Sequence, residues 1–179
     1  MKLDRGRAAL AVIDVQEAFR PAVLDFERVA ANVGVLVQGA RILGLPVIVT
    51  EQYPKGLGDT VPEVAAYLDG IDRLEKTTFS AVGAEGFPAA LADVRDQVMV
   101  CGIEAHVCVN QTVEDLLATG REVHVVGDAV TSRTPANRDL GLQKMEQSGA
   151  TLTSVETALF ELLREAGTPE FKEIQKLIK

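Results

Sequence analysis

The stretch A8-A-L-A-V-I-D14 decides the fold. It is a continuous apolar run that ends in an acid. A strand buried on both faces carries apolar side chains at every position rather than at alternate ones, so this run reads as a central strand of a parallel sheet. Working outward, Val29, Val33, Leu36, Ala40 and Leu43 recur every three or four positions between about Asp25 and Leu43, which is one face of a helix, and Gly44 follows as a stop signal. Leu45–Thr50 (LPVIVT) reads as a second strand. Residues 51–70 hold three Gly and two Pro and are expected to be mostly loop, with one short helix near 62–69.

The alternation continues to the end of the chain. Arg73–Lys76 reads as a weak strand, Phe87–Val94 as a helix and Gln97–Cys101 (QVMVC) as a strand. Val109, Val113, Leu116 and Leu117 then repeat at helical spacing until Gly120 closes the element. Glu122–Val126 is the next strand, and Asp128–Val130 extends or follows it. Thr134-Pro135 is an N-cap followed by Pro at the first helical position, opening a helix to about Ser148. Thr151–Thr153 is a short last strand. Helices near Val155–Ala166 and Pro169–Ile178 follow, the second with the same start at Thr168-Pro169. Such a pattern predicts an α/β fold, a parallel sheet between two helix layers. Its ligand site lies at the carboxyl ends of the strands. The polar residues there are Asp14, Glu51, Lys76, the 102–108 turn and Asp128–Arg133.

Composition sets limits on function. The 179 residues fit one domain, taken as 1–179, and the formal charge is 18 − 26 = −8. Hydrophobic residues at 47% and charged residues at 25% are those of a folded chain, not a disordered one. Two cysteines are too few for a disulfide scaffold, and Cys101-x6-Cys108 is not a zinc knuckle. An acidic chain without Trp and with few Tyr and Phe is a poor nucleic-acid binder. The run Ala8–Ile13 is too short to span a membrane and lacks the architecture of a signal peptide. The expectation is a cytoplasmic protein with both thiols free and no membrane or nucleic-acid partner.

Six side chains are weighed for chemistry. Cys108 follows the strand 97–101 through a short turn into a helix, where free N–H groups and the helix dipole favour a thiolate and can supply oxyanion donors. Equally, a free cysteine there can be a small buried hydrophobe. Cys101, inside VMVC, reads as core. Asp14 can be a general base, a phosphate nucleophile, a metal ligand or an N-cap. Lys76 is an ordinary solvated lysine unless the fold brings it beside Asp14 and Cys108. His106 stands at a helix start and His124 within a strand, neither with a second His at metal-ligand spacing. No G-x-G-x-x-G, G-x-x-x-x-G-K-[ST] or G-x-S-x-G occurs, and Gln16 stands where a dehalogenase-like phosphatase carries a second Asp.

The combination A-V-I-D14-V-Q-E-A-F, E-K76-T-T-F and C-G-I-E-A-H-V-C108-V-N-Q-T resembles the isochorismatase-like cysteine hydrolases, from about residue 7 to the C-terminus. Within them, T50-E-Q-Y-P-K-G-L-G-D-T-V-P and F171-K-E-I-Q-K-L-I-K resemble the isochorismatase domain-containing subgroup. The resemblance implies a three-layer, Rossmann-like α/β/α sandwich with a six-stranded parallel sheet, order 3-2-1-4-5-6. It implies a catalytic set Asp14, Lys76 and Cys108, and a cis peptide at Ile103–Glu104 that aims the N–H groups of Glu104 and Cys108 at one oxyanion. Gln16, Phe19, Tyr53, Phe79 and His106 would shape the substrate pocket.

Two departures sharpen that expectation. Nicotinamidases of this family hold a metal through an Asp-x-His type cluster after the second strand. Here the chain reads Glu51-Gln52-Tyr53, with no histidine from 1 to 105, so no metal and no cofactor are expected. True isochorismatases cleave a vinyl ether without a cysteine nucleophile, so Cys108 favours acyl chemistry on an amide-type C–N bond of a small molecule. The alternative is an inactive or weakly active fold that serves as a binding module. Homo-oligomers, dimers or larger, are implied by the resemblance as well.

Overall fold

The computed structural model describes residues 2–91 and 95–179. The run that opens the sequence forms β1 (Ala8–Ile13), and every one of its residues is buried. In chain order follow α1 (Phe26–Ile42), β2 (Val47–Gln52), the one-turn helices α2 (Pro54–Leu57) and α3 (Pro62–Ala65), β3 (Arg73–Lys76), α4 (Phe87–Ala90) and β4 (Gln97–Ile103). Then come α5 (Asn110–Ala118), β5 (Glu122–Thr131), α6 (Pro135–Gln147), β6 (Thr151–Thr153), α7 (Val155–Leu163) and α8 (Pro169–Leu177). The six strands form one sheet in the order β3-β2-β1-β4-β5-β6, and every pairing is parallel, as the resemblance implied.

The alternation of side chains along β1 shows why it is apolar throughout. Ala8, Leu10 and Val12 face Val29, Val33 and Leu36 of α1, in a layer completed by Leu159 and Leu162 of α7 and Ile174 of α8. Ala9, Ala11 and Ile13 face the other way, toward Phe87 of α4, Val113 and Leu116 of α5 and Met145 of α6. A strand covered on both faces has no position left for a polar side chain until it ends.

Several boundaries differ from expectation, each for a local reason. Strand β2 starts at Val47 rather than Leu45, because the Leu45 N–H is spent on the Ala40 carbonyl in the helix C-terminal turn, and Pro46 has no N–H. It also runs two residues further, through Glu51 and Gln52. Strand β5 is one ten-residue strand, so Asp128–Val130 extends it; pairing with β4 shifts between Val100 and Gly102 and resumes at Gly102–Val130 and Ile103–Thr131. Gly102 has φ +122°, and a Cβ there would collide with the backbone of Ile13, so only glycine lets β4 pass β1 this closely. The helix expected over 62–69 shrinks to Pro62–Ala65, and α2 was not anticipated. Of the helix expected over 87–94, Phe87–Ala90 is observed and 92–94 lie outside the described residues. Helix α7 ends at Leu163, short of Ala166, where Arg164 turns to φ +67°. Among the described residues no helix is long and apolar enough to cross a membrane.

His124 lies in β5, 1% exposed, and its Nδ1 has no hydrogen-bond partner among the described residues. Burial holds its pKa below the ordinary 6.5, and Glu161 and Glu122 oppose the shift. The unfolded chain therefore binds this proton more readily than the folded one. Stability from His124 is present above pH 6.5 and is lost as pH falls through that value toward the depressed folded one. Urea unfolding between pH 7.5 and 5 is expected to show this loss. In a folded His124→Gln variant the slope should flatten, and an unchanged slope would remove His124 as its source.

Candidate active site

Three strand ends meet at the carboxyl edge of the sheet. Asp14 follows β1 directly, with φ +52° and no exposed surface. Lys76 is the last residue of β3 and is 5% exposed. Cys108 is reached from β4 through the Ile103–Glu104 peptide, which is cis. The cysteine does not sit in the first turn of α5 proper. It lies in a wide π-helical turn, Ala105–Val109, that runs straight into α5. In that turn the N–H groups of Val107 and Val109 both bond to the Glu104 carbonyl, at 3.0 and 3.2 Å.

Asp14 is the centre of the cluster. Its Oδ2 accepts a 2.6 Å bond from Lys76 Nζ and its Oδ1 a 2.7 Å bond from Thr50 Oγ1, and the Cys108 thiol lies near enough to the same carboxylate for the two to shift each other's pKa. The Lys76 and Asp14 side chains have no accessible surface at all. Lys76 Nζ also faces Gln52 Oε1 at 2.6 Å and the carbonyls of Phe79 at 3.0 Å and Thr78 at 3.1 Å. All four neighbours are acceptors, which suits an ammonium and leaves it no hydrogen to offer elsewhere.

The electrostatics bear on the two readings open at Cys108, a thiolate or a small buried side chain. Burial, followed by the facing Asp14 carboxylate, pushes its pKa up to about 12, and Lys76 pulls it back only in part. Burial also pulls Asp14 above the ordinary carboxylate value, opposed by Lys76, Thr50 and Cys108. The resting pair is therefore a thiol beside a carboxylate whose raised pKa suits it to receive the proton. Cys101 is wholly buried, and burial alone raises its pKa as well.

Differential alkylation follows from this geometry. Cys108, 6% exposed, is expected to react slowly with iodoacetamide at neutral pH and faster as pH rises, while Cys101, 0% exposed, stays unmodified until the protein unfolds. Peptide mass mapping over pH 7–10 checks this, and equal rates at the two thiols would contradict it.

The remaining residues singled out in the sequence lie at different distances from this cluster. Gln16 is fully buried, and its amide is spent on the backbone: Nε2 donates to Gln52 O and Gly58 O, and Oε1 accepts from Gln52 N. Phe19 is half-buried against the α1-side core. Tyr53 and Phe79 are 56% and 54% exposed. Tyr53, Lys55, Lys76 and Thr78 contribute to the wall of a cavity of about 320 Å³ that neither Asp14 nor Cys108 lines. His106 is half-buried with Nδ1 3.0 Å from Ser132 Oγ. Glu104 Oε2 takes the Arg133 backbone N–H at 3.1 Å and its Nε at 3.0 Å.

Two of the polar strand-end residues prove structural. Glu51 points away from Asp14, and its Oε1 holds Thr60 through both N–H and Oγ1, at 2.7 and 2.6 Å. Asp128 Oδ1 accepts the N–H of Val155 at the start of α7. Among the described residues no three His, Cys, Asp or Glu side chains gather as a metal cluster.

Thr50, Gln52 and Thr112 were missed in the sequence. Thr112 Oγ1 donates to the Cys108 carbonyl and accepts from Ala81 N, tying the loop after β3 to the cysteine turn. Thr50 and Gln52 carried a legible signal: two polar residues, two apart and so on one face, in the polar end Thr50-Glu51-Gln52 of the strand.

Comparison with known proteins bears on this cluster. A family model described as the isochorismatase domain matches residues 8–157. The chain is 45% identical over 179 residues to isochorismatase domain-containing protein 2 of Danio rerio, covering 99% of this chain and 89% of that one. The structure of MAR1 ribonuclease from Caenorhabditis elegans superposes with a TM-score of 0.95 at 42% identity, over 99% of this chain and 92% of that one. The YcaC gene product of Escherichia coli, described as an octameric hydrolase of unknown specificity, superposes with a TM-score of 0.91 at 25% identity, over 99% and 90% of the two chains.

Proposed function

Because the chain belongs to the isochorismatase family, a hydrolase-type fold, we propose that it is a metal-independent cysteine hydrolase that cleaves an amide-type C–N bond of a small molecule through a Cys108 thioester. The observation that carries this reading is the convergence of Lys76 and Cys108 on the one buried carboxylate of Asp14. A binding module has no need of a thiol, a carboxylate and an ammonium held together out of water, where each is costly to bury.

The steps follow from the positions. Asp14 takes the thiol proton as the sulfur attacks the carbonyl carbon, so no free thiolate need accumulate. The negative charge moves to the carbonyl oxygen, which the N–H groups of Glu104 and Cys108 at the helix start receive, each such donor being worth about 3–4 kcal/mol in comparable sites. Lys76 keeps its bond to Asp14 and balances the local charge. The C–N bond breaks, Asp14 returns its proton to the leaving amine, and the acyl group remains on sulfur. Water then attacks the thioester with Asp14 as base, releasing the acid and restoring the thiol. Tyr53, Phe79 and His106 are assigned to the substrate's outer walls, whereas Gln16, its amide spent on backbone groups, and Phe19, packed on the α1-side core, support the site from behind without an assigned substrate contact.

The ribonuclease name borne by the C. elegans relative is not carried over. A formal charge of −8 offers little to RNA phosphates. The free thiols Cys101 and Cys108 fit a reducing cytoplasm, and the octameric description of YcaC supports assembly of this chain with copies of itself.

The test is a panel of small amides, ureas and carbamates, followed by ammonia or amine release and by intact mass of the quenched enzyme. Release together with an acyl adduct on Cys108 is the expected result. No release and no adduct across the panel would favour the inactive binding module, and cleavage of RNA dependent on Cys108 would replace the proposal outright.

A further inference from the structure

We infer that Thr50 and Gln52 are positioning residues that hold the Asp14–Lys76 pair from the end of β2, and that the neutrality of the Gln52 amide is part of that role. The inference rests on the reading of this pair as the proton-handling centre of a cysteine hydrolase.

The two residues lie two apart on one strand, so their side chains leave the sheet on the same side. Each takes one half of the pair. Thr50 Oγ1 donates to Asp14 Oδ1 at 2.7 Å, and Gln52 Oε1 accepts from Lys76 Nζ at 2.6 Å. Gln52 Nε2 donates to the Thr77 carbonyl at 3.0 Å, which fixes the amide with its oxygen toward the ammonium.

The backbone of Gln52 is itself pinned. Pairing of β1 with β2 ends at Ile13–Thr50, so β1 offers no strand partner for Gln52. Gln16 replaces it: its side-chain amide accepts from Gln52 N at 2.7 Å and donates to Gln52 O at 3.0 Å. On the other side Gln52 is in register with Lys76 of β3. The amide is therefore seated between the residue it orients and a side chain that acts as a strand neighbour.

Charge explains why the acceptor is an amide. With four acceptors around Nζ, a carboxylate at position 52 would compete with Asp14 for the ammonium. The neutral amide provides geometry and leaves the lysine charge to offset Asp14 and the developing charge at Cys108.

The experiment compares wild type with Gln52→Glu, Gln52→Met and Thr50→Val. One readout is the ¹⁵N–¹H ammonium resonance of Lys76, assigned by its loss in Lys76→Met. Another is the pH profile of Cys108 alkylation by iodoacetamide, with thermal unfolding as the check on folding. Gln52→Glu is expected to shift the Lys76 resonance, to move the Cys108 profile to higher pH and to slow alkylation at neutral pH on the order of tenfold, the equivalent of one pKa unit. Gln52→Met should speed exchange of the Lys76 ammonium protons, and Thr50→Val should move the Cys108 profile while leaving the contact at Gln52 intact.

A folded Gln52→Glu or Gln52→Met protein with the wild-type Lys76 resonance and the wild-type Cys108 profile would overturn the inference. The resonance needs no substrate. Absence of turnover on every amide would thus count against the hydrolase proposal alone, and an unmoved resonance against the positioning role alone.

Discussion

Cys108→Ala is expected to abolish turnover, by a factor on the order of 10⁴ or more in kcat, while the protein still folds. The size of the effect follows from the site. Asp14 and Lys76 are fully committed to each other and to their hydrogen-bond partners, so neither is free to replace the sulfur as a nucleophile. The structural cost is small by comparison. Cys108 is a small side chain in the layer packed between the sheet and α5, and removing its sulfur leaves a gap costing about 1–2 kcal/mol. Amine release, intact mass and thermal unfolding measured on one preparation separate the two effects. A Cys108→Ala protein with full activity on a genuine substrate would end the thioester proposal.

Lys76→Met is expected to be the most destabilising substitution at the site, by about 3–5 kcal/mol in urea unfolding, because it strands a buried carboxylate. Asp14 has no accessible side-chain surface, and Lys76 is its one ionic partner among the described residues. The sign of the pH dependence is fixed by the same geometry. The folded pKa of Asp14 already lies above its ordinary 3.8, and removing Lys76 raises it further. An acid with a raised folded pKa binds more protons folded than unfolded, so stability falls as pH rises through that window. The deficit of Lys76→Met should therefore be smaller at pH 5 than at pH 8. The double variant Asp14→Asn/Lys76→Met, with no buried charge left, should recover much of the loss. If the double variant were as unstable as the sum of the single ones, the pair would not be coupled as described.

Much of the architecture was legible because it depends on local pattern. A run such as Ala8–Ile13 can be apolar at every position only between two helix layers, and the helical spacing of Val29, Val33 and Leu36 supplies one of them. Residues just past strand ends were the ones to watch, and Asp14, Lys76 and Cys108 are among them. Motif resemblance, not periodicity, joined the three into one set. Boundaries failed where backbone bonding outweighed side-chain pattern. Leu45 was lost to a helix C-terminal turn. Asp128–Val130, open as an extension of β5 or a segment after it, extends it, and the Asp128 carboxylate turns aside to take the N–H of Val155.

By itself, the sequence determined the alternation of strands and helices, the apolar centre of the sheet and which residue types stand at its carboxyl edge. These are matters of period and composition, and they are written in neighbours a few positions apart. Only the tertiary structure decided how that edge is wired. It turned Glu51 away to Thr60 and brought Thr50 and Gln52 in. It made Gln16 a substitute for a missing strand neighbour, and it set the Cys108 thiol high in pKa beside a carboxylate rather than leaving it as a ready thiolate. Hydrogen bonds and desolvation depend on distances between segments up to 94 residues apart in the chain, from Asp14 to Cys108, and no local pattern encodes those distances.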